Sequence, residues 1–268
     1  MILSHTRMPI PSPGQNYPLT VKERQYLSII YVITNMSSTL FLFWIKYLKW
    51  RAVMEHQEIT KAIIRSQHCQ RNWDLSREVP QEDLDLLVTA ATQCPSKQNV
   101  AFYRLHVITN RQLIESVHEQ TKGFTIRYNS DEKQTNSQVL ANVLFVFEER
   151  DLNKDQDLKF RNEQTFNVSS NKISLNDIDL LLRDKNMAIG VAAGYVNLTA
   201  SLLGYATGCC ACFDPEAVRQ ILDMEKQPLL LMGIGHKNPF MNRRVHHNDH
   251  SFVFPTKTKQ DIEVRIVS

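Results

Sequence analysis

The side chains best suited to chemistry are scattered along the chain. His68, Cys69 and Arg71 sit in "QHCQRNW" (67–73). Pro95, Ser96, Lys97, Gln98 and Asn99 follow Cys94 in "CPSKQN". Asn136 and Gln138 precede an apolar run, and Arg243 and Arg244 follow a glycine-ended one. Singly, each reads as a surface residue. Together, cationic groups from distant segments can converge on one phosphate through charge-assisted hydrogen bonds.

Other clusters carry less. Cys209 and Cys212 form a CxxC, but a dithiol redox site wants its first cysteine at a helix N-terminus. Here the pair lies in a strand-like run, and the next helix starts only at Asp214. Cys69 and Cys94 are isolated, so no second pair completes a zinc site. Buried small hydrophobes are the plainer reading of these thiols. "HHNDH" (246–250) has three imidazoles but nothing to finish a metal site, and reads as a solvated or interface loop. No metal is expected. G-x-G-x-x-G, G-x-x-x-x-G-K-[ST] and G-x-S-x-G are all absent, which argues against dinucleotide-binding Rossmann, P-loop and α/β-hydrolase readings.

The elements that must position these residues alternate irregularly. "HQEITKAIIRSQ" has helical spacing through Ile59, Ile63 and Ile64. "VPQEDLDLLVTAATQ" starts as a helix should, with Pro80 and then acids near its N-terminus. "FYRLHVI" reads as a strand, "NRQLIESVHEQ" as a helix capped by Asn110, and "VLFVF" as a buried strand. Residues 150–173 read as a polar excursion or lid. A long helix follows from about Leu175 to Tyr205, rich in Ala and Gly, whose glycines imply close helix–helix approach. "ATGCCACF" is strand-like, "DPEAVRQIL" is a helix with Asp214 as N-cap, "PLLLMGIG" is a buried strand, and "IEVRIV" alternates like a terminal strand. The implied class is α+β: layered helices around a central mixed β-sheet.

At 43% hydrophobic, 268 residues suffice for one core plus an appendage. Net charge +3 without a Lys/Arg run does not indicate nucleic acid. Five cysteines, three of them clustered, make a poor disulfide framework and suit a reducing, cytoplasmic compartment. Residues 1–53 differ from the rest. Between Arg24 and Lys46 no charge occurs, a length that suits a membrane span although polar residues fill its middle. Lys46, Lys49 and Arg51 then leave residues 54–268 on the cytoplasmic side. The competing readings are a working protein that begins at Met54, and a buried or interfacial helix.

Five motifs in order resemble the FMN-dependent nitroreductase family over residues 54–268. "QHCQRNW" resembles its basic motif, "CPSKQN" its Pro-Ser-x-x-Asn loop, and "NSQVLANVLFVF" its Asn-x-Gln segment and strand. "GVAAGYVNLTASLLGYATGCCACFDPEAVRQIL" resembles its long helix, strand and Phe-Asp helix, and "LLLMGIGHKNPFMNRR" its closing strand and basic residues. Gln67 stands where the family has its first arginine, Cys69 where it has serine, and Ala101-Phe102-Tyr103 where it has Gln-Pro-Trp.

The resemblance implies FMN as cofactor and NAD(P)H as co-substrate. His68, Arg71, Arg243 and Arg244 would bind the phosphate, with Cys69 beside them. Pro95 fixes a turn, and Ser96, Lys97, Gln98, Asn99 and Asn136 would border the ribityl chain and pyrimidine edge. Cys210, Ala211 and Cys212 would bring the backbone to the flavin N5, with the Ala211 amide as donor. No side chain is implied as an obligatory catalytic acid, because the flavin carries the chemistry. A ping-pong hydride transfer to a nitro compound, quinone or related small acceptor follows, in a homodimer with two interface flavins. Two other functions stay open: a membrane-anchored reductive dehalogenase resembling iodotyrosine deiodinase, and a degenerate flavin-fold binding protein without turnover.

Overall fold

A computed structural model describes residues 56–123, 135–150, 175–247, 250–254 and 259–267. The chain divides into two units, Met1–Gln57 and Glu58–Ser268. The expected anchor at 25–45 and the expected lid, from residue 151 onward, lie outside the described residues. Among those described, no helix is long and apolar enough to cross a membrane.

The second unit opens with helical residues 58–66 (α1). Then come α2 (Gln81–Thr92), β1 (Tyr103–Ile108), α3 (Arg111–His118), β2 (Val143–Glu149), α4 (Leu175–Leu202), β3 (Ala206–Cys210), α5 (Pro215–Ile221) and β4 (Pro228–Gly235). Local chemistry sets several boundaries. The Asn110 side chain accepts the Leu113 N–H, and Asp214 Oδ1 accepts the N–H groups of Glu216 and Ala217, relieving orphan donors at the starts of α3 and α5. Past the end of α4, Gly204 takes φ +88°, a left-handed turn open to glycine at no steric cost.

The sheet has strand order β1-β2-β4-β3. Where a mixed sheet was expected, every pairing among these strands is antiparallel. β2 lies inside the sheet, and both its faces are covered. Val143, Phe145 and Phe147 point with Met232 and Ile234 into a core closed by Leu84, Leu87 and Ala91 of α2 and Ala192, Val196 and Ala200 of α4. Leu144, Val146 and Leu231 point the other way, against Ile114 and Val117 of α3 and Val218 of α5. Alternate side chains of a strand serve opposite faces, so a strand covered twice is an unbroken apolar run. Burying a Phe or Leu here stabilises the fold by about 1.5–3 kcal/mol.

Glu148 interrupts that run, fully buried beside a register shift between β2 and β4. Burial opposes its ionisation. The His106 ring at 2.7 Å, the Lys226 N–H at 2.6 Å and the charge of Arg104 outweigh that and hold its carboxyl below the usual range. This carboxylate fastens the 225–227 turn to the sheet.

Two expectations fail. "IEVRIV" forms no strand: residues 261–267 have no regular structure, with Ile262 and Val264 each 78% exposed. Alternation fits a pleat, but a strand also needs a ladder partner, and no described strand takes it up. Gly190 and Gly194 of α4 meet no other helix among the described residues; a Cβ there would have none of their atoms within 4 Å.

Candidate cofactor-binding site

Just beyond the C-terminal end of β3 lies a pocket of about 520 Å³. Its walls come from 67–71, 122–123, 135–137 and a hairpin whose described arms are 243–247 and 250–254, with Cys212 between them. Close backbone passage assembles them. Gln70 donates its N–H to Thr207 O at 2.7 Å, and a Cβ on Gly208 would lie 2.7–2.8 Å from the carbonyl oxygens of Gln138 and Gln70. Glycine at 208 therefore lets both segments lie flat on β3. The Trp73 indole donates to Ser137 O at 2.8 Å, and Asp74 N–H to His236 O at 2.8 Å, so the 67–74 segment is tied to the sheet end at both edges.

The hairpin is held from below. Buried Asn72 donates its side-chain amide to Asn242 O (2.7 Å) and Val245 O (3.0 Å). Across the hairpin, Phe254 N–H donates to Arg244 O and His246 N–H to Phe252 O. The Arg244 Nε–H adds a 2.8 Å bond to Phe254 O. The Arg71 guanidinium stacks 4.7 Å over the Phe254 ring, a contact that suits a cation taken partly out of water.

Charge in the pocket is one-sided. Arg71, Lys122, Arg243 and Arg244 line it with His68, and no Asp or Glu does so among the described residues. Burial lowers the Arg71 pKa, partly offset by the Cys69 thiol. His68 also falls below its ordinary value, through burial and then the neighbouring Arg243, whose Nη2 donates to His68 Nδ1 at 3.4 Å. At the back, burial and the rings of His246 and His118 push His247 down to about 4. Its Nε2 is buried with no hydrogen-bond partner among the described residues. Uncompensated cations around a concave space favour an anion such as a phosphate.

Of the residues singled out in sequence, His68, Cys69, Arg71, Asn136, Cys212, Arg243 and Arg244 meet here. The Asn136 side chain is oriented by bonds to Gln138 and to Cys210 Sγ (3.3 Å). Cys210 is buried at the end of β3, and Ala211 is exposed beside Cys212. Pro95, Ser96, Lys97, Gln98 and Asn99 do not line this pocket. Lys97 instead pairs with Asp184 of α4 at 2.5 Å, Ser96 Oγ donates to Val100 O, and Gln98 and Asn99 adopt φ of 54° and 57°. "HHNDH" is no solvated loop at its start: His246 is 4% exposed and packs with His247 into the pocket wall. Sequence reading also missed Lys122, Thr135 and Phe254. Only the spacing Phe252-x-Phe254 hinted that an apolar face faced inward there. Among the described residues no group of three or more ligating side chains could hold a metal.

A sequence model of the nitroreductase family matches residues 64–236, well over half of the chain. The chain belongs to the nitroreductase family. No curated protein matches it in sequence. Solved structures share the fold at low identity. A nitroreductase, YdfN of Bacillus subtilis, superposes with TM-score 0.55 at 15% identity, over 78% of this chain and 98% of that one. A Staphylococcus epidermidis protein described as an NAD(P)H:FMN oxidoreductase gives 0.50 at 20% identity, over 67% and 87%. A nitroreductase from Exiguobacterium sibiricum, solved in complex with FMN, gives 0.50 at 15%, over 67% and 90%. The nitroreductase-family segment thus spans the basic 67–71 wall through β4, and the hairpin with Arg243 and Arg244 follows it.

Proposed function

We infer that this nitroreductase-family chain is an FMN-dependent oxidoreductase that uses NAD(P)H to reduce a small acceptor, a nitro compound, a quinone or a chemical relative. The observation that carries the reading is a pocket with four cations and no acid among its described lining residues, whose volume is in the range of cofactor sites. Arg71, Arg243 and Arg244 hold the phosphate by charge-assisted bonds, and His68, neutral near pH 7 because its pKa is lowered, keeps Arg243 aimed inward. Asn136, pre-oriented by Gln138, offers an amide to the polar part of the cofactor. Backbone at Ala211 and Cys212, fixed because Lys122 N–H donates to Cys212 O at 2.8 Å, borders the ring. When bound, FMN supplies two-electron hydride chemistry between the nicotinamide and the acceptor in alternation.

The proposed assembly is a homodimer. α4 exposes Met187, Val191, Tyr195 and Leu202, with Gly190 and Gly194 in the same stripe, an apolar face that supports docking of a second copy. In a dimer with interface flavins, the 95–99 loop of one copy serves the pocket of the other. The proposed location of the catalytic domain is the cytoplasm, which its five free thiols suit, with residues 25–45 as a membrane tether. Salt-resistant membrane association of the full chain, absent when residues 1–53 are removed, tests the tether.

The deciding measurement is the absorption spectrum of the purified protein, before and after FMN and then NAD(P)H. Expected are flavin bands that bleach on adding the nicotinamide and return with a quinone. A protein that stays colourless at saturating FMN ends this reading.

A further inference from the structure

The two edge strands of the sheet differ. β3, at one edge, is met by the 67–74 segment, where Gln70 donates its N–H to Thr207 O at 2.7 Å. β1 is the other edge. Its register with β2 runs unbroken from Tyr103 to Ile108. Among the described residues, no segment outside the sheet forms a backbone hydrogen bond or an isolated bridge with residues 103–108. Every second residue of an edge strand aims its N–H and C=O away from its neighbour, so this side of β1 is a template for one more strand.

The chain also carries a strand-like segment without a ladder. Residues 261–267, "DIEVRIV", have no regular structure, yet they alternate, and Ile262, Val264 and Ile266 are each 78% exposed or more. The segment is long enough to run the six residues of β1. The faces also match. Tyr103 and Leu105 pack toward the α2/α4 core, and Val107, next on that face, is 38% exposed. Ile262, Val264 and Ile266 would continue this apolar face. On the other face of β1, Arg104 and His106 reach Glu148. Asp261, Glu263 and Arg265 alternate onto that face, where the two acids can pair with the two basic side chains across the strands.

We propose that the 261–267 tail of one copy adds as a strand to the open edge of β1 in a second copy, and that the exchange is reciprocal. This rests on the proposed homodimer and names the segments that it swaps. In the single chain the tail stays in solvent while its own β1 edge stays open. Each copy thus offers one edge and one strand, and a two-fold exchange uses both. Main-chain bonds hold the added strand, and the alternation of its side chains fixes which face turns to the core.

The test replaces Val264 of the full chain by the photo-cross-linking residue p-benzoylphenylalanine and mixes it with isotope-labelled chain that lacks the substitution. After subunit exchange and illumination, position 264 of one isotope should be joined to a peptide containing residues 103–108 of the other. Links within one isotope, or to another segment, overturn the exchange. Independently, Val264→Pro removes one ladder N–H from an exposed tail and leaves the core of each chain untouched. It should weaken dimerisation about tenfold in sedimentation equilibrium, the worth of about one hydrogen bond. A dimer of unchanged affinity overturns the exchange and spares the homodimer. A chain that is monomeric at every concentration overturns both.

Discussion

The basic wall at 67–71 and 243–254 and the loop at 95–99 both carry polar residues of the kind that grip a cofactor, yet they are built differently. The wall is made by long-range bonds: Asn72 holds the hairpin across 170 residues and more, and Trp73 reaches Ser137. The loop is made locally. It turns on Pro95, closes Ser96 onto Val100, and meets the rest of the chain through Lys97 and Asp184. The wall therefore forms a pocket within one chain, whereas the loop, with its consecutive left-handed residues Gln98 and Asn99, does not line it. Left-handed non-glycine residues cost free energy and tend to mark ligand contacts, a role that the proposed dimer would give this loop.

The strongest test of that contrast removes the wall's charge. The double substitution Arg71→Ala, Arg243→Ala should weaken FMN binding by about 10³-fold, since each charge-assisted bond contributes about 2 kcal/mol. Flavin fluorescence quenching reads it, and a loss below tenfold would detach the wall from the phosphate.

Next in size is Asn72→Ala. It removes the two hydrogen bonds that tie Asn242 O and Val245 O to the 67–74 segment and should cost about 2 kcal/mol of stability. FMN affinity should fall with it, because Arg243 and Arg244 lose their frame. Unchanged urea midpoint and affinity would mean that the hairpin holds itself.

Lys97→Ala should act more weakly, about fivefold on FMN affinity or about 1 kcal/mol, and only where the protein is dimeric. The readout is a titration at several protein concentrations. An equal effect on the dilute monomer would place the loop at its own pocket after all.

The smallest effect at pH 7 concerns His247. In the folded chain it stays neutral down to about pH 4, while in the unfolded chain it protonates near the ordinary imidazole value of 6.5. Between those values the unfolded state binds more protons, so stability is full above about 6.5 and falls as pH drops toward 4. His247→Phe should flatten that part of the pH–stability curve and change little at pH 7. An unaltered acid slope would assign it to other groups.

Much of the fold was readable because its causes are local. Asn110 and Asp214 cap helices through their own neighbours, and the apolar run from Val143 to Phe147 is a strand covered on both faces. Where the cause was not local, reading failed. "IEVRIV" has a strand's alternation but no partner here. "HHNDH" looked polar, yet packing turns His246 inward. The candidate site shows the same division. His68, Arg71, Arg243 and Arg244 could be named from their kind and order, while Lys122, Thr135 and Phe254 belong to the pocket only because the chain returns there.

The sequence by itself determined the elements, the two apolar faces of β2 and the ordered motifs of the family, because side-chain periodicity and capping act over a few residues. Tertiary structure alone decided which of those residues meet. It gathered four cations with no carboxylate among the described lining residues, left Lys97 and its loop elsewhere, and put Cys69 and Cys212, but not Cys209, on the pocket wall. The reason is geometric: convergence rests on glycine-permitted backbone contacts such as Gly208 with Gln70 and Gln138, between segments that no short window of sequence contains.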